Sequence, residues 1–304
     1  MIERGATRDK IIIAIYDFSY YPLGLAHILL WQAHLAILAH IHKPAKIEYC
    51  FLFDENELIY RLGFNDIKEF QKRFLSFWPV FFCLPFIRSI NLFKDRLLLN
   101  QFISTQMANG SLVHPTLGNR KPLSFEILTA FSCQENLIPY LDPPLESKRK
   151  AEDFFKLHFP DSLVFCVSLK EPDLPYHEQK WQEFFKFFEK HPIVFLIVDE
   201  METLYSFGKF TFPNVHMIEN YNFTLCEKLA AINVADGFIG EIGSLALMAI
   251  FGKKPYIISQ SLEKMQSPQI DNLSFLRKKH QTLLCNPTNT NYLITHLEEI
   301  LKEL

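Results

Sequence analysis

Asn233-Val-Ala-Asp-Gly-Phe-Ile-Gly-Glu-Ile-Gly-Ser-Leu-Ala-Leu-Met-Ala-Ile-Phe-Gly-Lys-Lys-Pro-Tyr-Ile-Ile-Ser259 is the stretch on which the fold of this chain turns. It reads as a short buried strand, Gly237 to Gly240, then a turn carrying Glu241 and Gly243, a helix from Ser244 to Phe251, and a second strand from Pro255. Gly240 and Gly243 let the backbone turn tightly and approach a ligand, the Ser244 hydroxyl suits a helix cap, and Gly252 suits the helix end. A helix starting there aims the N–H groups of Gly243 to Leu245, and the positive end of its dipole, at the carboxyl edge of the strand. The same residues equally suit a β-turn-α-β connection that holds no ligand.

Reading outwards, the surrounding chain repeats the alternation. Ser162 to Ser168 and Pro192 to Asp199 are continuous apolar strands, the second ending in an acid. Between them lie the loop Lys170 to Pro175 and a helix from His177 to Lys190, with Phe184, Phe185, Phe187 and Phe188 on a wide apolar face. Val215 to Ile218 is a short strand, Thr224 caps a helix running to Asn233, and Thr290 to Leu304 is an amphipathic helix. Upstream, Leu141-Asp-Pro-Pro144 reads as a hinge because two prolines stop regular structure.

The first half begins with a strand, Lys10 to Asp17, then a loop to Gly24, a helix over Leu25 to His40, and a strand from Lys46 to Asp54. This is a βαβ unit, whose crossover is right-handed. Asp17 and Asp54 end their strands at the edge where open α/β sheets hold ligands, although strand-end aspartates also cap helices. His27 lies just inside the first helix and faces the same edge. His34 lies further along and away from it. Between Glu55 and Pro144 the pattern predicts helices over Ile67 to Phe77 and Leu92 to Met107, with a strand from Pro79 to Phe86 between them.

Composition sets the bounds. A chain of 304 residues, 49% hydrophobic and 21% charged, is long enough for two globular domains. A net charge of −3 gives no electrostatic case for nucleic acid, which demands a clustered basic face, so no nucleic-acid partner is expected. The polar start, Met1 to Lys10, does not read as a signal peptide. The apolar region Leu23 to Ile41 carries His27, Gln32, His34 and His40, too many polar groups for a membrane span. A soluble protein is expected, with peripheral membrane contact left open. The six cysteines form no Cys-x-x-Cys pair and read as reduced thiols, and no His-Glu-x-x-His spacing suggests a metal.

Val234 to Ile258 resembles the donor-side segment of GT-B enzymes such as the lipopolysaccharide heptosyltransferases, where Gly-Ser or Gly-Pro opens the helix and Gly-Lys-Pro closes it. Cys166-Val-Ser-Leu-Lys-Glu171 resembles the first strand of that family's second domain, and Asp17-Phe-Ser-Tyr-Tyr-Pro-Leu-Gly24 is similar to its acceptor-facing loop. Where the heptosyltransferases carry Asp-Ser/Thr-Gly, this chain has Glu241-Ile-Gly, and the paired glutamates of many retaining GT-B enzymes are not found.

The resemblance implies an α/β protein of two Rossmann-like parallel-sheet domains facing a central cleft. Residues 1–144 form the acceptor side and 145–289 the donor side, while helix 290–304 is of the kind that often crosses back to the first domain. It implies a metal-independent glycosyltransferase with no cofactor, moving a sugar from a nucleotide-sugar donor to a cell-surface glycan or glycolipid precursor in the cytoplasm. Asp17 or His27 would be the base and Lys170 the cation facing the leaving diphosphate. Glu171, Asp199, Gly240, Glu241, Gly243, Ser244 and Leu245 would hold the donor, and Tyr20, Gly24 and Asp54 would line the acceptor side. A GT-B-shaped scaffold without activity and a nucleotide-sugar epimerase are the alternatives.

Overall fold

The computed structural model describes residues 10–54, 67–115, 125–169, 176–199, 212–260, 280–285 and 290–304. The chain divides into two compact units, Met1–Pro139 and Tyr140–Leu304.

In the first unit, β1 (Lys10–Asp17), α1 (Leu25–Ile41) and β2 (Ala45–Leu52) form the expected βαβ start. They are followed by α2 (Ile67–Phe77), β3 (Ile87–Phe93), α3 (Arg96–Ala108), β4 (Leu112–His114) and α4 (Phe125–Glu135). The described strands pair in parallel in the order β3-β2-β1-β4. Alternation along β1 and β2 gives the sheet two apolar faces, as parallel sheets require. Tyr16 and Phe51 meet Trp31 of α1, Phe74 of α2 and Phe81. On the other face Ile13, Ile15, Cys50 and Leu52 pack against Leu99 and Ile103 of α3.

The long apolar run is explained by α1. Its Ile28, Leu29, Trp31, Ala33, Leu35 and Ile37 are buried around most of the helix, so it is an internal helix with no polar stripe. Gln32 is buried within it yet satisfied, donating to Val80 O at 2.8 Å and accepting from Cys83 N at 3.0 Å. No described helix is long and apolar enough to cross a membrane.

The strand expected over Pro79 to Phe86 is instead a 3₁₀ turn, Trp78–Phe82, with proline in its first turn, where the missing N–H costs no bond. The strand falls later, at β3, and the helix expected from Leu92 begins only at Arg96. Asp95 caps it by accepting from Leu97 N at 2.6 Å.

The second unit contains α5 (Leu145–His158), β5 (Leu163–Ser168), α6 (Tyr176–Phe187), β6 (Ile193–Ile197), β7 (Val215–Met217) and α7 (Leu225–Val234). The opening stretch follows as β8 (Gly237–Glu241), α8 (Ser244–Ile250) and β9 (Tyr256–Gln260), then β10 (Gln281–Cys285) and α9 (Thr290–Leu301). All pairings are parallel, in the order β10-β9-β8-β5-β6-β7. With β5 taken as first, this is the three-two-one-four-five-six order of doubly wound dinucleotide-binding sheets. Thr224 caps α7 in a reciprocal box with Glu227, as expected.

The segment expected as a hinge begins just after the boundary between the units, where Leu141 N donates to Phe251 O at 3.0 Å and Lys253 lies 4.1 Å over the Tyr140 ring, both contacts within the second unit. The final helix, α9, buries Leu293, Leu297 and Ile300 in that same unit's core, alongside Trp181 and Phe184 of α6.

Candidate functional site

In the second unit the strand order reverses between β5 and β8, and a crevice outside their carboxyl ends is where such sheets take ligands. Ser168 ends β5 and pairs with Gly240 of β8. A Cβ on Gly240 would lie 2.6 Å from Ser168 O, so the glycine serves the close approach of the two strands. Asp199, just beyond β6, is buried and accepts from Ser168 Oγ at 2.8 Å and from Leu169 N, which pins the end of β5.

Glu241 is the last residue of β8 and is half-buried. Gly243 is the N-cap of α8 in extended backbone, and no side chain caps the helix; Ser244 is exposed as the first helical residue rather than the cap. Leu245 is half-buried in the same first turn. At seven residues α8 contributes little dipole, so its free amides are what it offers an anion. Lys170 and Glu171 lie outside the described residues.

The helix after β5 carries one further residue of interest. Lys180, in the second turn of α6, is 8% exposed, its ammonium 5.4 Å from the centroid of the Trp181 ring. Burial lowers its pKa while the charge of Glu241 opposes that shift. Its signal was a lysine four residues before Phe184, on the apolar stripe of the helix.

In the first unit Asp17 ends β1, 6% exposed. Its Oδ1 accepts from Ser19 N at 3.0 Å and Ser19 Oγ at 2.8 Å, and Oδ2 accepts from Arg96 at 2.6 Å. Arg96 also donates to Ser19 Oγ at 3.2 Å and stacks 5.3 Å from the Tyr20 ring centroid. The following loop is folded back by Tyr20 and Tyr21 N–H groups on Asp17 O, and by Tyr16 Oη on Pro22 O at 2.8 Å.

Gly24 is the N-cap of α1, and His27 follows in its first turn, where burial lowers the imidazole pKa and favours the neutral ring. Asp54 lies half-buried two residues past β2. Asp17, Ser19, Tyr20 and Arg96 are thus assembled into one cluster. Arg96 escaped notice because it is 79 residues from Asp17 and because β3, whose end delivers it, was placed too early.

His114, at the end of β4, stacks on His34 of α1 with ring centroids 5.8 Å apart. Burial, reinforced by His34, pushes the His114 pKa down to about 3. An unfolded histidine titrates near 6.5, so below that pH the unfolded chain binds a proton the folded chain refuses until about pH 3. Stability should therefore fall as pH drops through this window, by up to about 1.4 kcal/mol per pH unit from this group. Urea midpoints measured between pH 7.5 and 4.5 should show a shallower slope in His114→Asn than in the parent.

No model of a known protein family and no curated protein matches this chain. Solved structures do. A family 9 glycosyl transferase from Veillonella parvula DSM 2008 is 13% identical with a TM-score of 0.55, over 97% of this chain and 98% of that one. The E. coli ADP-heptose lipopolysaccharide heptosyltransferase II is 10% identical with a TM-score of 0.58, over 97% of this chain and 99% of its own. At these identities the likeness is one of fold, and the chain has the two-unit α/β fold of the GT-B glycosyltransferases.

Proposed function

We propose that this protein is a nucleotide-sugar-dependent glycosyltransferase that works without a metal on a glycan or glycolipid acceptor at the cytoplasmic face of a membrane. The observation that carries the reading is the second unit's strand order, whose reversal between β5 and β8 brings Ser168, Gly240 and Glu241 to one edge. That topology takes nucleotides at this edge. The neighbour named for ADP-heptose supports a nucleoside diphosphate sugar as the donor class.

In the transfer, an acceptor hydroxyl oxygen bonds to the anomeric carbon as the bond from that carbon to the diphosphate breaks. The electron pair leaves with the nucleoside diphosphate. The hydroxyl proton passes to a base of the first unit, either Asp17, whose carboxylate is fixed in orientation by Ser19 and Arg96, or His27, whose neutral ring accepts a proton. Glu241 accepts hydrogen bonds from the donor ribose, and protein cations and amides meet the developing diphosphate charge.

A panel of nucleoside diphosphates and nucleotide sugars tests this by thermal shift, since ligands of the native state raise its apparent stability. At least one should bind, and Glu241→Ala should weaken it by about tenfold on calorimetry, the worth of a charge-assisted hydrogen bond. Absence of binding across the whole panel would instead favour a scaffold role.

A further inference from the structure

We infer that Lys180 is the side chain that holds the donor's diphosphate. The inference rests on the nucleotide-sugar reading above and extends it to a residue in α6. Three observations carry it.

The first is position. Lys180 sits in the second turn of the helix that follows β5, and a helix entered from the carboxyl end of a strand starts over that edge. Glu241, whose charge acts on Lys180, is the final residue of β8, the other strand of the reversal point. The two residues thus belong to the helix after one of these strands and to the end of the other, between which a doubly wound sheet binds phosphates.

The second is burial. The adjoining positions of α6, Trp181, Phe184 and Phe185, are fully buried against the sheet, and Lys180 shares that environment at 8% exposure. Taking an ammonium out of water is costly and is tolerated where charge compensates it. An apolar side chain would serve packing alone at lower cost.

The third is the local field. The Trp181 ring face, 5.4 Å from the ammonium, and the Glu241 charge both favour the cation, against the effect of burial. A partly desolvated cation interacts with a diphosphate more strongly than a solvated one. When the sugar leaves, the electron pair of the broken bond settles on the diphosphate oxygen, and the Lys180 ammonium meets that charge.

The test uses the whole chain and calorimetry with ADP, UDP, GDP and CDP, each beside its monophosphate. The unaltered protein should bind one diphosphate more tightly than its monophosphate. Lys180→Met should weaken that diphosphate by about ten- to a hundredfold and leave the monophosphate within about twofold, erasing the preference. Lys180→Arg should keep part of it, and Glu241→Gln should weaken the diphosphate by less than Lys180→Met.

Thermal unfolding of each variant checks that it folds. If Lys180→Met does not fold, the preference in Lys180→Arg and Lys180→Gln decides, and an unchanged preference in both overturns the inference. Diphosphate binding by the unaltered protein that survives Lys180→Met at full strength overturns the role of Lys180 and leaves the nucleotide-sugar reading standing. Failure of the unaltered protein to bind any nucleotide overturns both.

Discussion

Replacing Arg96 by alanine should lower the stability of the first unit by about 3–5 kcal/mol, the cost of stranding a buried carboxylate. The Asp17 side chain is only 9% exposed and its Oδ2 accepts from Arg96 at 2.6 Å. Removing the guanidinium leaves Ser19 as the partner seen for that carboxylate, and takes away the contact with the Tyr20 ring. The same change in an Asp17→Asn background should cost much less, because no charge is then left uncompensated. A double-mutant cycle from urea unfolding measures the difference. Equal losses in the two backgrounds would show that Arg96 contributes packing and not charge.

The second large effect is expected at Gly240. A Cβ there would meet Ser168 O at 2.6 Å and Ser168 N at 3.1 Å, both backbone atoms that move only if β5 and β8 separate. Those strands form the centre of the six-stranded sheet. Gly240→Ala should cost about 1–3 kcal/mol and Gly240→Val more, by overpacking. Hydrogen exchange should show the loss concentrated in β5 and β8, with the first unit's amides unchanged. Uniform loss of protection in both units would mean that they unfold as one. Gly243 is the control: its Cβ would meet nothing nearer than Glu241 O at 3.9 Å, and its φ of −170° suits any residue, so Gly243→Ala should cost little.

The contrast between these two glycines shows where sequence reading stops. Both stood in one turn motif as places of close ligand approach. One is required by its neighbouring strand, and the other is an ordinary N-cap in extended backbone. Thr224 was legible because a capping box is a contact over three residues, whereas the Asp17 and Arg96 pair spans 79.

Strand and helix alternation, the positions of β1, β2, β5, β6 and β8, and the acidic end of β1 followed from the sequence alone, because apolar period and turn chemistry are local properties, whereas β2 and β6 stop two residues before Asp54 and Asp199, the acids expected to end them. So did the likeness to GT-B enzymes. Strand order, and with it the reversal between β5 and β8, came only from the tertiary structure, because pairing partners are set by which faces find cover and not by neighbours in the chain. For the same reason only the folded chain brought Arg96 to Asp17 and buried Lys180 on α6.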